Sequence, residues 1–358
     1  MIPLLLLAAT TPNLASRPSD QVNWGQVEAV LVDYAASTTD CGGGQVRAVS
    51  TADPFTVGVM LASGMVLAEV EMRFRLAPDG RPLEIGNPQR VGTTGITLDA
   101  HDLPAALSLW RFAASGRERS CTIRFTPRRQ PIATAPMDAV YRFATLAREG
   151  EVGTREAVAR IRPVDCLGKV TPAVLLRGYP DYRKLPPVPG APAYSIVAFD
   201  IDSAGVPVNI GTATGSGQAL LDEASRDAVG KSRFAEGDAR ERCTLPFVQW
   251  PRPPVEAPET PDLESLRPDG ATCDKVKWAV PPRGNYPAAF QKRAIEGWAI
   301  VKFDLSAAGQ PLKPVVLASA PATAFGTQAQ AAFWSARAEA MTTPRTGCVE
   351  RVRFKSPA

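Results

Sequence analysis

Trp298-Ala299-Ile300-Val301-Lys302-Phe303-Asp304-Leu305-Ser306-Ala307-Ala308-Gly309 is the stretch that sets the fold of this chain. Ala299, Val301, Phe303 and Leu305 share one side of a two-residue period, which predicts a strand with those four facing a core. Ser306 to Gly309 follows as a turn, where glycine supplies a positive φ. Phe325, Ala329, Ala332 and Ala336 then recur at helical spacing, and Cys348 to Phe354 predicts a closing strand.

The same order occurs twice upstream. Phe303, Gly309, Arg337 and Cys348 are matched by Phe199, Gly205, Arg233 and Cys243, and by Phe74, Gly80, Arg111 and Cys121. Cys41 and Cys166 each lie 33 residues before their phenylalanine, and Cys273 lies 30 before. Periodicity of this kind predicts three small domains in tandem. Their expected bounds are 21–130, 131–255 and 256–358, after an expected signal segment at 1–20. Each is expected to be a three-stranded antiparallel sheet with one packed helix (ββαβ) and a helical or irregular lead-in, an α+β solution.

Within repeat one, Val66, Ala68, Val70, Met72 and Phe74 form the predicted inward row, Leu83 and Ile85 begin the return, and Leu103, Ala106, Leu107 and Trp110 line a helix capped by Asp99 or Asp102. In repeat two, Ser195, Val197, Phe199 and Ile201 face inward, with Leu220, Ala224 and Ala228 on the helix. Met137 to Ile161 reads as a polar connecting helix, and the proline-rich stretch 251–261 as a linker.

The chain of 358 residues has room for three such units. Its net charge of +4 comes from basic residues spread among acidic ones, which does not call for a nucleic-acid partner. Met1 to Ala9 is an apolar run like the core of a secretory signal, without the positive n-region. It is far shorter than the roughly 20 apolar residues that span a bilayer. Six cysteines, one pair per repeat, point to an oxidising compartment and to the bonds Cys41–Cys121, Cys166–Cys243 and Cys273–Cys348; the alternative is buried reduced thiols. Each bond would close a loop worth roughly 4 kcal/mol in the loop-entropy model.

Repeat three resembles the C-terminal domain of TonB, the periplasmic energy transducer of Gram-negative bacteria. The likeness rests on Tyr286-Pro287-Ala288-Ala289, Ile295-Glu296-Gly297, Val301-Lys302-Phe303-Asp304, Ala308-Gly309, Val315-Val316 with Ser319, and Phe325. Tyr286, Pro287, Gly297, Phe303 and Gly309 are its motif positions. Repeat two keeps Tyr179-Pro180, Phe199-Asp200-Ile201-Asp202, Gly205 and Arg233-Phe234, and repeat one keeps Trp110-Arg111-Phe112. Repeat three has Ala336-Arg337-Ala338 where the family has a tryptophan-arginine-aromatic step. The resemblance implies an exported, periplasmic and non-catalytic protein that recognises extended peptides by strand addition. Segments of outer-membrane transporters are the implied partners, with a peptidoglycan-binding or protein-binding scaffold as the alternative.

The closing strands at 119–125, 242–248 and 349–354 are the candidate edges for such pairing. In repeat three this edge is Val349, Glu350, Arg351, Val352, Arg353 and Phe354; the competing reading is charge that keeps an edge soluble. The apolar outward positions Tyr194, Ile196, Trp298 and Ile300 are expected to pack under the lead-in of their own repeat. Enzyme signals are poor, and no cofactor or metal is expected. His101 is the only histidine and has no counterpart in the other repeats, so a catalytic or metal role is not expected of it, and no zinc cluster arises beyond the paired cysteines. Asp200 to Gly205 echoes a calcium loop, but the position of the bidentate glutamate falls on Gly211, so it reads as a hairpin turn.

Overall fold

The computed structural model describes residues 26–98, 102–147, 150–161, 166 and 173–356. The apolar start at 1–20, Asp99 and His101 lie outside the described residues. The protein is mixed α+β, built from several small antiparallel sheets and short helices.

Repeat one departs most from expectation. It holds β1 (Val27–Ala36), β2 (Thr39–Asp40), β3 (Gln45–Val46), β4 (Ala48–Ser50), β5 (Val57–Ala62), β6 (Val70–Leu76), β7 (Pro82–Leu83), β8 (Gln89–Arg90), α1 (Asp102–Ser108), β9 (Arg111–Phe112) and β10 (Arg119–Pro131). Its main sheet has eight strands, not three. The first half of β10 pairs with β6, from Arg119↔Leu76 to Phe125↔Val70, and its second half pairs with β1, up to Pro131↔Val30. The lead-in is thus a ten-residue strand rather than a helix or an irregular segment. Val30 and Val32 enter the central core while Leu31 packs with Ile132, Val140 and Phe143 on the opposite face. A strand buried on both faces loses its period-2 signature.

Regular strand begins at Val70, and of the expected inward row Val66 alone is exposed; Ala68 is buried, and its amide donates to the Ile96 carbonyl at 2.9 Å. The expected return strand stops after Leu83. Ile85 leaves its own hairpin and bonds repeat three, its amide to the Pro321 carbonyl (3.0 Å) and its carbonyl to the Thr323 amide (2.9 Å). Pairing with β6 resumes beyond Pro88, where Gln89 and Arg90 of β8 lie opposite Glu71 and Val70.

The predicted connecting helix is two helices, α2 (Met137–Leu146) and α3 (Thr154–Ile161), separated by a turn with Gly150 at φ +80°. α2 is amphipathic in two directions. Val140 and Phe143 cover the repeat-one sheet at Leu31, while Leu146 and Tyr141 pack on Tyr194 and Ile196 of repeat two.

Repeat two contains β11 (Val174–Leu176), β12 (Ala193–Ile201), β13 (Pro207–Gly215), α4 (Ala219–Lys231), β14 (Arg233–Phe234) and β15 (Arg240–Gln249). Repeat three contains β16 (Trp278–Val280), α5 (Ala288–Lys292), β17 (Gly297–Leu305), β18 (Pro311–Ala320), α6 (Thr323–Ala332), β19 (Arg337–Ala338) and β20 (Arg345–Phe354). Two three-stranded sheets result, ordered β13-β12-β15 and β18-β17-β20. On the repeat-two helix Ala228 is buried as expected, but Leu220 is exposed, and Leu221, Ser225 and Val229 complete the buried face.

Three local devices recur in all repeats. Gly80, Gly205 and Gly309 adopt φ of +85°, +74° and +76°, and their carbonyls accept the amides of Phe112, Phe234 and Ala338. A Cβ on Gly309 would lie 2.1 Å from the Ala338 carbonyl oxygen. Arg111, Arg233 and Arg337 turn back to donate to the carbonyls of Trp110 (2.7 Å), Ser232 (2.6 Å) and Ala336 (2.7 Å), satisfying acceptors just past the helix end. Disulfides join Cys41–Cys121, Cys166–Cys243 and Cys273–Cys348.

Gly309→Ala is expected to cost about 1–3 kcal/mol for the backbone conformation alone, and more for the carbonyl contact. Gly92 has a similar φ of +74° with nothing within 4 Å of its would-be Cβ, so Gly92→Ala isolates the backbone part. Equal losses for the two variants in urea unfolding would remove the carbonyl contact from this account.

The proline-rich stretch is a packed strap rather than a free linker. The Val255 amide bonds the Ala294 carbonyl at 2.8 Å, the Glu296 amide bonds the Val255 carbonyl at 2.9 Å, and Trp298 Nε1 donates to the Pro258 carbonyl at 2.6 Å. Trp298 and Ile300 are buried under Ala257, Leu263 and Leu266. Lead-in segments therefore cover the outward apolar rows. In repeat two, Phe55 of repeat one contributes as well.

One apolar core runs without interruption from repeat one (Val70, Met72, Phe74, Phe125) into repeat three (Phe290, Phe303, Phe325, Phe333). Where the three repeats meet stands Arg293, 1 % exposed and among the largest fully buried side chains. Its Nε and Nη2 grip Asp102 of α1 at 2.8 and 2.6 Å. Nη2 also reaches the Asp53 carbonyl (2.7 Å), and Nη1 the Gly190 carbonyl of repeat two (3.1 Å). The guanidinium lies 4.2 Å from the Phe55 ring centre, and the Phe55 amide donates to Asp102 at 2.7 Å. Lys292 beside it donates to the Leu146 carbonyl of α2 at 2.7 Å. A planar five-donor group suits a site with this many acceptors, and a lysine there would leave several unmet.

Candidate functional site

The closing strands are related through Cys121, Cys243 and Cys348, so Arg124, Pro246 and Arg351 are equivalent, each three residues on. In an antiparallel ladder alternate residues turn their N–H and C=O toward one neighbour or away from it. These three positions turn theirs away from the central strand, toward the outer edge.

Repeat one has that edge filled by its own chain. Ala36 lies opposite Phe125 and Asp40 opposite Thr122, on the side of β10 remote from β6. The Ser37 amide donates to the Arg124 carbonyl at 2.8 Å, and the Arg124 amide donates to Ser37 Oγ at 3.3 Å. The Cys41–Cys121 disulfide holds this passage at its end. The stretch 119–125 is therefore not an open edge, in contrast to the sequence expectation.

Repeat two has an edge that cannot be completed. Pro246 has no N–H to offer. Two residues on, the Val248 amide lies beside the Tyr182 phenol, whose pKa is raised mainly by burial.

Repeat three is different. Among the described residues β17 is the only strand that pairs with β20. The chain leading to Cys273 bonds at Thr346 (Thr272 amide to Thr346 carbonyl, 3.0 Å) and does not run back along the strand. At the strand's start, Asp304 Oδ1 accepts the Gly347 amide at 2.9 Å across a bulge, as Asp200 does for Arg242 in repeat two. Val349, Arg351 and Arg353 then carry the outward backbone groups.

The strand is held rigidly from both faces. Behind it, Val349 packs with Trp298 and Ile300, and Arg351 donates to Thr260 Oγ1 of the strap. In front, Glu350 accepts from Trp278 Nε1 at 3.2 Å, and Val352 and Phe354 are buried. Phe354 packs edge-on against Phe325 (5.2 Å) and Tyr286 (6.0 Å). At the end of the strand the strap and Arg353, Phe354 and Lys355 frame an open groove of about 570 Å³.

The predicted motif residues support this strand and do not line its edge. Tyr286 donates its hydroxyl to the Ile295 carbonyl at 2.6 Å, and burial, with the nearby Glu296 charge, pushes its phenol well above the usual range. Pro287 caps α5. Gly297 leaves room for Phe325, whose ring would lie 2.5 Å from a Cβ there. Phe303 packs on Phe333 at 4.7 Å and Trp278 at 5.7 Å. In repeat two the matching Tyr179 is exposed, and Gln249 replaces Phe354, so that end of the core is not rebuilt.

No group of three or more histidine, cysteine, aspartate or glutamate side chains is placed to hold a metal among the described residues. Neither is any described helix long and apolar enough to cross a membrane. Three disulfides fit an oxidising compartment. The chain matches no protein-family model, and a search of curated proteins returns no match.

Proposed function

We propose that the three repeats are diverged copies of one ββαβ unit resembling the C-terminal domain of TonB, and that the third recognises extended peptides by adding a strand to β20. The protein is read as a non-catalytic, exported component of the periplasm, with segments of outer-membrane transporters as candidate ligands. One observation carries this reading. The closing-strand edge is covered by the chain itself in repeat one, interrupted by Pro246 in repeat two and, among the described residues, without a strand partner in repeat three. An edge left unprotected next to two protected copies is a template for pairing.

The test uses the full-length oxidised protein and hydrogen–deuterium exchange. Extended peptides should slow exchange at the amides of Val349, Arg351 and Arg353. Arg351→Pro copies the block that Pro246 supplies, at a position where the fold already tolerates proline. It should abolish the protection while leaving the circular dichroism spectrum intact. If β20 stays unprotected with every peptide while peptidoglycan binds saturably, the scaffold reading replaces this one.

A further inference from the structure

Resting on the strand-addition reading, we propose that β20 takes a segment of another polypeptide running antiparallel to it, with carboxylates placed beside Arg351 and Arg353 and apolar groups beside Val349 and Val352. Direction follows from repeat one. The passage from Ala36 to Asp40 runs antiparallel along β10, and it bonds through the amide and carbonyl of Arg124, the position equivalent to Arg351. The chain therefore already holds one seated example of a strand on this edge. In repeat three the corresponding segment turns away at Thr272, and the same backbone groups are presented outward.

The side-chain pattern follows from the pleat. Directly opposed residues on neighbouring strands share a face. An incoming strand therefore meets Arg353, Val352, Arg351, Glu350 and Val349 in its own N-to-C order. Arg351 donates to the Thr260 hydroxyl, Arg353 is exposed, and neither forms an ion pair among the described residues. Glu350 is held by Trp278, so a small polar residue suits the position beside it. The preferred order is acidic, apolar, acidic, polar, apolar. A parallel strand would need the reverse order, which makes sequence direction a readout of strand direction.

Three synthetic peptides of equal length separate the possibilities, titrated into full-length oxidised protein while backbone amide shifts are followed. One carries the core aspartate, valine, aspartate, threonine, valine; the second carries that core reversed; the third has lysines for the aspartates. The first should bind tightest, with shifts centred on Val349 to Arg353. A nitroxide on its N-terminus should broaden the Arg353 end of the strand. The lysine peptide should bind about 2- to 30-fold more weakly, and Arg351→Gln with Arg353→Gln should erase that difference. Tighter binding of the reversed core, with its N-terminal nitroxide broadening Val349, would overturn the direction. Equal binding of the acidic and lysine peptides would overturn the charge pattern and leave strand addition standing. If no peptide moves these amides, strand addition itself fails. If they move with protein concentration alone, a second copy of the chain is the occupant and the inference fails with it.

Discussion

Replacing Arg293 by methionine should lower the free energy of unfolding by about 3–5 kcal/mol, the usual consequence of removing one partner from a buried ion pair. The loss has several sources. Asp102 loses both guanidinium contacts at a largely buried position and keeps the Phe55 amide, and the carbonyls of Asp53 and Gly190 lose a donor. The methionine chain partly refills the volume, so the cost is electrostatic more than a cavity. Asp102→Asn in the Arg293→Met background should cost much less than it does alone, because the two residues act as one unit. Urea unfolding of the four proteins, followed by tryptophan fluorescence, gives the cycle. A change under about 1 kcal/mol for Arg293→Met would mean that the junction contributes little to holding the repeats together.

Removing Cys273 and Cys348 together, as alanines, should cost about 2–5 kcal/mol. The bond closes a loop with a separation of 75 residues and both sulfurs lie in the core, so denatured-state entropy and packing are lost together. Because Cys273 and Cys348 belong to the same cluster as Phe74, Met72 and Phe125, the damage should reach repeat one. Exchange at the amides of β6 should quicken along with that of β17. Acceleration restricted to residues 273–354 would show instead that the shared core transmits nothing between the repeats. Peptide mapping under non-reducing conditions should return only the three bonds within repeats.

The parts of this fold legible in sequence are those with short-range causes. The Phe303–Gly309 spacing and its two copies encode a strand and a turn whose glycine must be left-handed and must also pass close to a carbonyl. Cysteine pairing was legible because each repeat carries its own pair. β1 was not, because Leu31 serves one core and Val30 and Val32 another, so no alternation marks it. The strap at 255–260 carries the prolines of a linker, and only its bonds to Ala294, Glu296 and Trp298 reveal a packed segment. For the candidate site, the closing strand itself was readable and what covers its outer side was not. What covers β10 is a segment more than 80 residues upstream of it, and Pro246 becomes informative only when superposed on Arg124 and Arg351. Arg293 gave no signal at all. A single arginine at the end of a five-residue helix looks like surface until Asp102, 191 residues earlier, is brought beneath it.

The bond from Thr323 to Ile85 spans 238 residues, with the whole of repeat two lying between its ends. Contacts of such separation add loop-closure entropy before they return any stability, which slows assembly. A ribosome or a translocation channel delivers residue 85 long before residue 323. Until the last third of the chain emerges, repeat one lacks the carbonyl and amide that fix Ile85, the guanidinium that neutralises Asp102 and the aromatic residues that complete its core. Its maturation therefore waits on the C-terminus, and the newborn chain must keep that apolar surface from sticking elsewhere in the interval.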